Sequence, residues 1–330
     1  VRRRSIPPGP LVFVLTAALL AAGVGWALLS PGPGRPGARP ATVILARGEG
    51  VWAIGRDLAR ARVVRSGPLF AVMAELTGSA PRLKAGEYAF PARISLSAVL
   101  RALRLGLVVR HFVTVPEGLT SRAAAAILAQ SSDLTGPTPI APEGALLPET
   151  YEVRRGESRA EVTARMERAR DALLAKLWAA RAPGLPYRTP EDAVILASVI
   201  EKETALPDER ARIAAVFINR LEKGMRLESD PTVIYGVSGG VPLGHGLTRG
   251  ELATATPYNT YRISGLPPTP IDNPGRASLA AALDPDRTAD LYFVANGTGG
   301  HAFSASLGEH LRNVARWRAI ERVDKITANK

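Results

Sequence analysis

The chain contains no cysteine, so disulfides and thiolate chemistry are excluded. Its four histidines (His111, His245, His301 and His310) are scattered without ligand spacing, and neither a metal nor any other cofactor is expected. No internal repeat and no nucleic-acid-binding motif is present. The arginines are spread rather than clustered, so the net charge of +12 points away from nucleic acid and toward anionic lipid or an acidic polymer. What remains is ample for folding: 330 residues, 46% hydrophobic and 22% charged, enough for a proper core and two domains.

Leu11 to Leu29 (LVFVLTAALLAAGVGWALL) carries no charge and is just long enough to span a bilayer. Arg2, Arg3 and Arg4 precede it, which predicts a cytoplasmic N-terminus and an extracytoplasmic remainder. A cleaved signal peptide is the rival reading. The length of the apolar run and the lack of an A-x-A site directly after it favour an uncleaved anchor, with 1–30 as cytoplasmic stub and membrane helix. Residues 31–41, PGPGRPGARPA, read as a semi-rigid spacer.

Over 42–106 the pattern becomes regular. ATVILA reads as a strand, VWAIGRDLARA and SGPLFAVMAELTG as helices, and LKAGEYAF as a second strand. This β-α-α-β order resembles a LysM-type carbohydrate-binding module. From 107 to 330 a larger α+β domain is expected, with helices flanking antiparallel strands. Its first parts are a strand in LVVRHFVTV, a helix in TSRAAAAILAQ and a long charged helix from Arg154 to Ala182.

The most informative stretch runs from Thr189 to Gly236. Thr189 suits a helix N-cap, Pro190 the first helical position and Asp192 the first turn. Val194, Ile195, Leu196, Ala197, Val199 and Ile200 form a broad apolar stripe, and Pro207 stops the helix. Glu203 continues that stripe in the last turn, whereas Glu201 points toward the flank. A carboxyl so placed has its anion disfavoured by desolvation and by the helix dipole. That raises its pKa toward the value a general acid needs. Glu203 is therefore the candidate acid and Glu201 the runner-up. The plain alternative is a pair of surface carboxylates matched with Lys202, Arg210 or Arg212.

A second helix opens at Pro207-Asp208-Glu209 and ends at Gly224, making a helix hairpin around Glu203. TPYNTYRISGLPPTPIDNPG is a polar, proline-rich loop, and LYFVANGTGGHAFS is a β-hairpin. Together, VILASVIEKET, VFINRLEKGMRLESDPTVIYG, TPYNTYRISGLPP and LYFVANGTGGHAFS resemble the endolytic murein transglycosylases, the YceG-like family. The blocks match in order along 190–305. PEGLT and LLPETY extend the likeness to about 115, and the anchor and LysM-like module extend it to the whole chain. One departure is LLPETY, where Leu147 and Glu149 replace an aromatic and an aspartate more usual in the family.

The resemblance implies an inner-membrane lyase that cuts peptidoglycan glycan strands internally, helping to end their elongation, with peptidoglycan synthases as partners. It maps the catalytic glutamate to the EKET block. In a lytic transglycosylase one carboxyl acts as acid and then as base, and the MurNAc C6 hydroxyl displaces the neighbouring sugar to leave a 1,6-anhydro end. Tyr235, Asn259, Thr260 and Tyr261 are expected to contact substrate, with Thr204, Asn219 and Asp230 in support. Two other functions fit the sequence: a hydrolytic muramidase using Asp230 or Glu228 as base, and a non-catalytic glycan-binding scaffold.

Overall fold

The computed structural model describes residues 8–328, with side chains described for 12–322, so Arg2, Arg3 and Arg4 lie outside the described residues. The chain divides into two compact units between His111 and Phe112.

The first unit opens with α1 (Pro8–Leu29), whose window Val12–Leu29 is long and apolar enough to cross a membrane. Then come β1 (Ala41–Leu45), α2 (Val51–Arg60), α3 (Gly67–Leu76), β2 (Gly86–Phe90) and α4 (Leu96–Leu105). The strands pair antiparallel, from Ala41 opposite Phe90 to Leu45 opposite Gly86. Helices α2 and α3 approach so closely that a Cβ on Gly55 would lie 2.5 Å from the Gly67 carbonyl oxygen. Leu58, Phe70, Tyr88, Phe90 and Leu103 fill the core. Val108 packs against it and the Val109 N–H donates to the Glu87 carbonyl at 2.7 Å, which carries this unit a few residues past 106. The spacer is not free at its start. The Gly32 N–H donates to the Ile94 carbonyl (3.1 Å) and Arg65 donates to that of Pro31, because backbone polar groups near a packed surface need partners.

The second unit begins within β3 (His111–Thr114), whose first residue belongs to the first unit, and goes on through α5 (Ser121–Gln130), β4 (Leu134–Thr135), β5 (Thr150–Val153), β6 (Glu157–Ser158) and α6 (Arg159–Ala179). It continues through α7 (Pro190–Glu203), α8 (Arg210–Glu222), α9 (Asp230–Ser238), α10 (Arg249–Ala253) and α11 (Arg276–Leu283). It closes with β7 (Tyr292–Ala295), β8 (His301–Ser304) and α12 (Leu307–Ala328). Mixed α+β architecture is as expected, but the picture of helices flanking a sheet is not. The described strands form separate two-stranded ladders, and β4–β6 is parallel. Strands this short cannot build a sheet core, so helices α6, α7, α8 and α11 pack on one another instead. Leu196, Val199, Ile200, Phe217 and Leu279 fill their interface. Helix α6 starts at Arg159 rather than Arg154. Gly156 turns the chain at φ 82°, and Ser158 and Glu161 then close a capping box. The hairpin β7–β8 pairs Ala295 with His301 and sets the Phe293 ring edge-on to Phe217 at 5.8 Å.

Candidate active site

Helix α7 starts where the sequence says it should. Thr189 accepts the Asp192 N–H, and the Asp192 carboxylate accepts the Thr189 N–H in return. From Ala193 to Ile200 every residue is buried, so the helix is fixed over its length, and Glu203 is its last residue. Thr204 caps the end with its hydroxyl turned to the Leu206 N–H at 3.0 Å. Glu203 keeps a minor part of its surface accessible yet lies deep among protein atoms. Burial is the main reason its carboxyl is pushed up to about 7, and the Asp230 charge adds to the rise. The Ser229 bond, His301 and Arg220 all oppose it.

Ser229 Oγ donates to Glu203 Oε1 at 2.5 Å. It is held from behind by a closed set of bonds. The Ser229 N–H donates to the Thr260 hydroxyl at 2.9 Å, the Thr232 and Thr260 hydroxyls lie 2.8 Å apart, and the Thr232 hydroxyl donates to the Ser229 carbonyl at 2.6 Å. Glu228, just before Ser229, takes the left-handed conformation at φ 52°, unfavourable for a side-chain-bearing residue. Arg220 offsets it, with Nη1 3.2 Å from Glu228 Oε2 and donating to the carbonyls of Arg226 and Leu227. The Tyr261 hydroxyl donates to Asp230 Oδ1 at 2.7 Å, and burial, then this bond, raise the phenol above its ordinary range.

The structure thus gathers Glu203, Thr204, Asp230 and Tyr261 with Ser229. Other predicted site residues stand differently. Asn259 is 0% exposed. Its amide donates to the carbonyls of Leu252 and Thr254, and its Oδ1 accepts the Tyr261 N–H. Thr260 is equally buried. Both brace the loop that presents Tyr261 and offer no surface to a sugar, because an amide and a hydroxyl closed off from water must satisfy themselves internally. Tyr235 packs edge-on to Tyr258 at 4.8 Å, and its phenol is pushed to about 12 by burial first and by Glu143, Tyr258 and Asp272. Asn219 donates to the carbonyls of Thr288 and Asp290, both 2.9 Å away, and so holds the approach to β7. Glu201, with its side chain 6% exposed, accepts the Gly275 N–H at 2.9 Å and faces Arg210 at 3.5 Å. It ties α7 to the neighbouring segments as an ion-paired clasp.

Sequence reasoning missed Ser229, Arg220 and His301. Ser229 stands directly before Asp230-Pro231, a helix-start signal that could have drawn attention to it. For His301 the sequence offers only the metal-ligand spacing that it lacks. The residue sits beside Glu209 instead, with Nδ1 2.6 Å from Oε2 and its N–H donating to Oε1 at 2.8 Å.

The profile of the YceG-like family matches residues 43–316. An endolytic murein transglycosylase of Streptococcus pneumoniae is 30% identical over 324 aligned residues, covering 83% of this chain and 58% of that protein. One of Bacillus subtilis is 45% identical over 115 residues, 35% of this chain and 31% of that protein. The chain therefore spans less than two thirds of the length of these curated relatives. The crystal structure of a YceG-like protein from Listeria monocytogenes superposes with a TM-score of 0.52 at 27% identity, covering 83% of this chain and 98% of that one. A profile match over most of the sequence, with that relative and that fold, places the chain in the YceG-like family.

Proposed function

We propose that this protein is a lytic transglycosylase that cleaves the MurNAc–GlcNAc bond within peptidoglycan glycan strands. The observation that carries the reading is Glu203: an acid held near neutral pKa by burial, fixed by Ser229, at the end of a helix. Protonated Glu203 gives its proton to the glycosidic oxygen as the C1–O bond breaks. The carboxylate left behind takes the proton of the MurNAc C6 hydroxyl as O6 bonds to C1, closing the 1,6-anhydro ring. The nucleophile belongs to the same sugar, so its effective concentration far exceeds that of water. Asp230, held by Tyr261, supplies negative charge near the oxocarbenium-like centre.

The apolar α1 serves as a single-pass anchor of the plasma membrane, N-terminus inside, with the chain that follows it on the outer side where the substrate lies. The β-α-α-β module acts as a LysM-like holder of glycan, and wall synthases are the natural protein partners of an enzyme that ends nascent strands.

The test is digestion of peptide-free glycan strands by the full chain in detergent, with mass analysis of the ends. Internal cuts with anhydro ends that vanish in Glu203→Gln and persist, weakened, in Glu201→Gln are expected. Reducing ends would make the protein a hydrolytic muramidase, binding without cuts would make it a scaffold, and loss only in Glu201→Gln would move the acid.

A further inference from the structure

We propose that the cavity between the β7–β8 turn and α12 is a saccharide subsite, in which one sugar ring of the bound strand stacks on the indole of Trp317. The assignment builds on the transglycosylase reading and names a place where the strand continues beyond the cut bond. The cavity measures about 230 Å³ and is lined by Ala295, Gly297, Gly299, Gly300, His301 and Trp317.

Three features select a sugar. First, Trp317 is only partly buried and presents a flat apolar face, the surface on which the C–H face of a pyranose packs. Second, Gly297, Gly299 and Gly300 belong to the lining, and the Gly299 side faces open space, whereas those of Gly297 and Gly300 are filled by Ile320 and Glu209, so a ring can approach the backbone at Gly299. That backbone is set before any ligand arrives. Asn296 Oδ1 accepts the N–H groups of Thr298 (2.8 Å) and Gly300 (3.2 Å), and the Asn296 N–H donates to the Gly300 carbonyl at 2.9 Å. Third, among the described residues His301 is the only titratable group in the lining. A stem peptide carries carboxylates and amines and would call for countercharges there, whereas a neutral, hydroxyl-rich ring does not.

His301 joins this cavity to the reacting centre. Glu209 holds its Nδ1, and Phe293 stands edge-on to the ring at 5.3 Å, which leaves Nε2 for a ligand hydroxyl. The same imidazole lies close enough to Glu203 for its charge to act on that carboxyl. His301 and Trp317 line the same cavity, so a strand that reaches His301 from Glu203 meets the indole next.

The probe is chitohexaose, a soluble N-acetylglucosamine oligomer, titrated into the whole 330-residue chain carrying Glu203→Gln, in detergent. The chain has four tryptophans, and the indole N–H resonance of Trp317, assigned by its loss in Trp317→Phe, is followed by NMR. It is expected to shift on titration. By calorimetry, adding Trp317→Ala weakens binding about tenfold, which corresponds to about 1.4 kcal/mol, and Trp317→Phe retains most of the affinity. With Glu203 present, Trp317→Ala raises KM for glycan strands more than it lowers kcat. An unmoved Trp317 resonance, or equal affinity with and without the indole, overturns the subsite, and the resonance test does not depend on any alanine variant folding. The two readings fail separately. Strands left uncut by a protein whose Trp317 responds would refute transglycosylation alone, and strands cut by one whose Trp317 is silent would refute the subsite alone.

Discussion

Replacing Glu203 with glutamine removes one ionisation and keeps a similar shape, so its effect on stability should depend on pH in a defined way. In the folded protein the carboxyl titrates at about 7, against 4.5 for an unhindered glutamate. The native state therefore holds this proton more tightly than the unfolded chain does. The resulting stabilisation is complete below about pH 4.5 and is lost as pH rises through about 7. The gap amounts to about 3 kcal/mol. Glutamine has no such loss. The variant should match the parent near pH 4, apart from a constant offset, gain on it between pH 4.5 and 7, and stay ahead above that. For a unit of this size the plateau corresponds to a melting temperature higher by about 6–12 °C. Urea unfolding of both proteins across this pH range, followed by circular dichroism, measures the difference directly. A stability difference that stays flat with pH would mean that the folded Glu203 carboxyl titrates like a solvated one. The acid assignment would then lose its physical basis. The parent's glycan cleavage should also fall on the alkaline side of about pH 7, where the proton to be donated is gone.

Asp272 is 1% exposed with neither carboxyl oxygen hydrogen-bonded, and burial holds its pKa well above the usual value against the pull of Lys202. Asp272→Asn is expected to stabilise the protein, more so as pH rises, and urea midpoints at acid and alkaline pH will show it; a loss at every pH would contradict this. Arg220 donates to the carbonyls of Leu291, Arg226 and Leu227 and pairs with Glu228. Arg220→Ala should cost about 3–5 kcal/mol by calorimetric melting, because buried acceptors lose their only charged donor. Thr189→Ala, which removes the cap of α7, should cost about 1 kcal/mol and leave the pH profile of cleavage in place.

The sequence by itself determined α7 and where it puts Glu203. Thr189, Pro190 and Asp192 start the helix, the run from Ala193 to Ile200 buries it, and the same periodicity carries Glu203 inward. The apolar α1, the Pro207 helix turn and the glycine-rich hairpin were legible for the same reason, since caps, periodicity and turn residues act within one or two turns of chain. Tertiary structure alone decided what surrounds Glu203. Ser229 arrives from 26 residues away, Thr260 locks Ser229 from 31 further on, and Glu209 holds His301 across 92. It also turned Asn259 inward and set Tyr235 among Tyr258, Glu143 and Asp272. Such placements depend on loop closure and on which polar groups find partners once the helices have packed. No local pattern of residues encodes either.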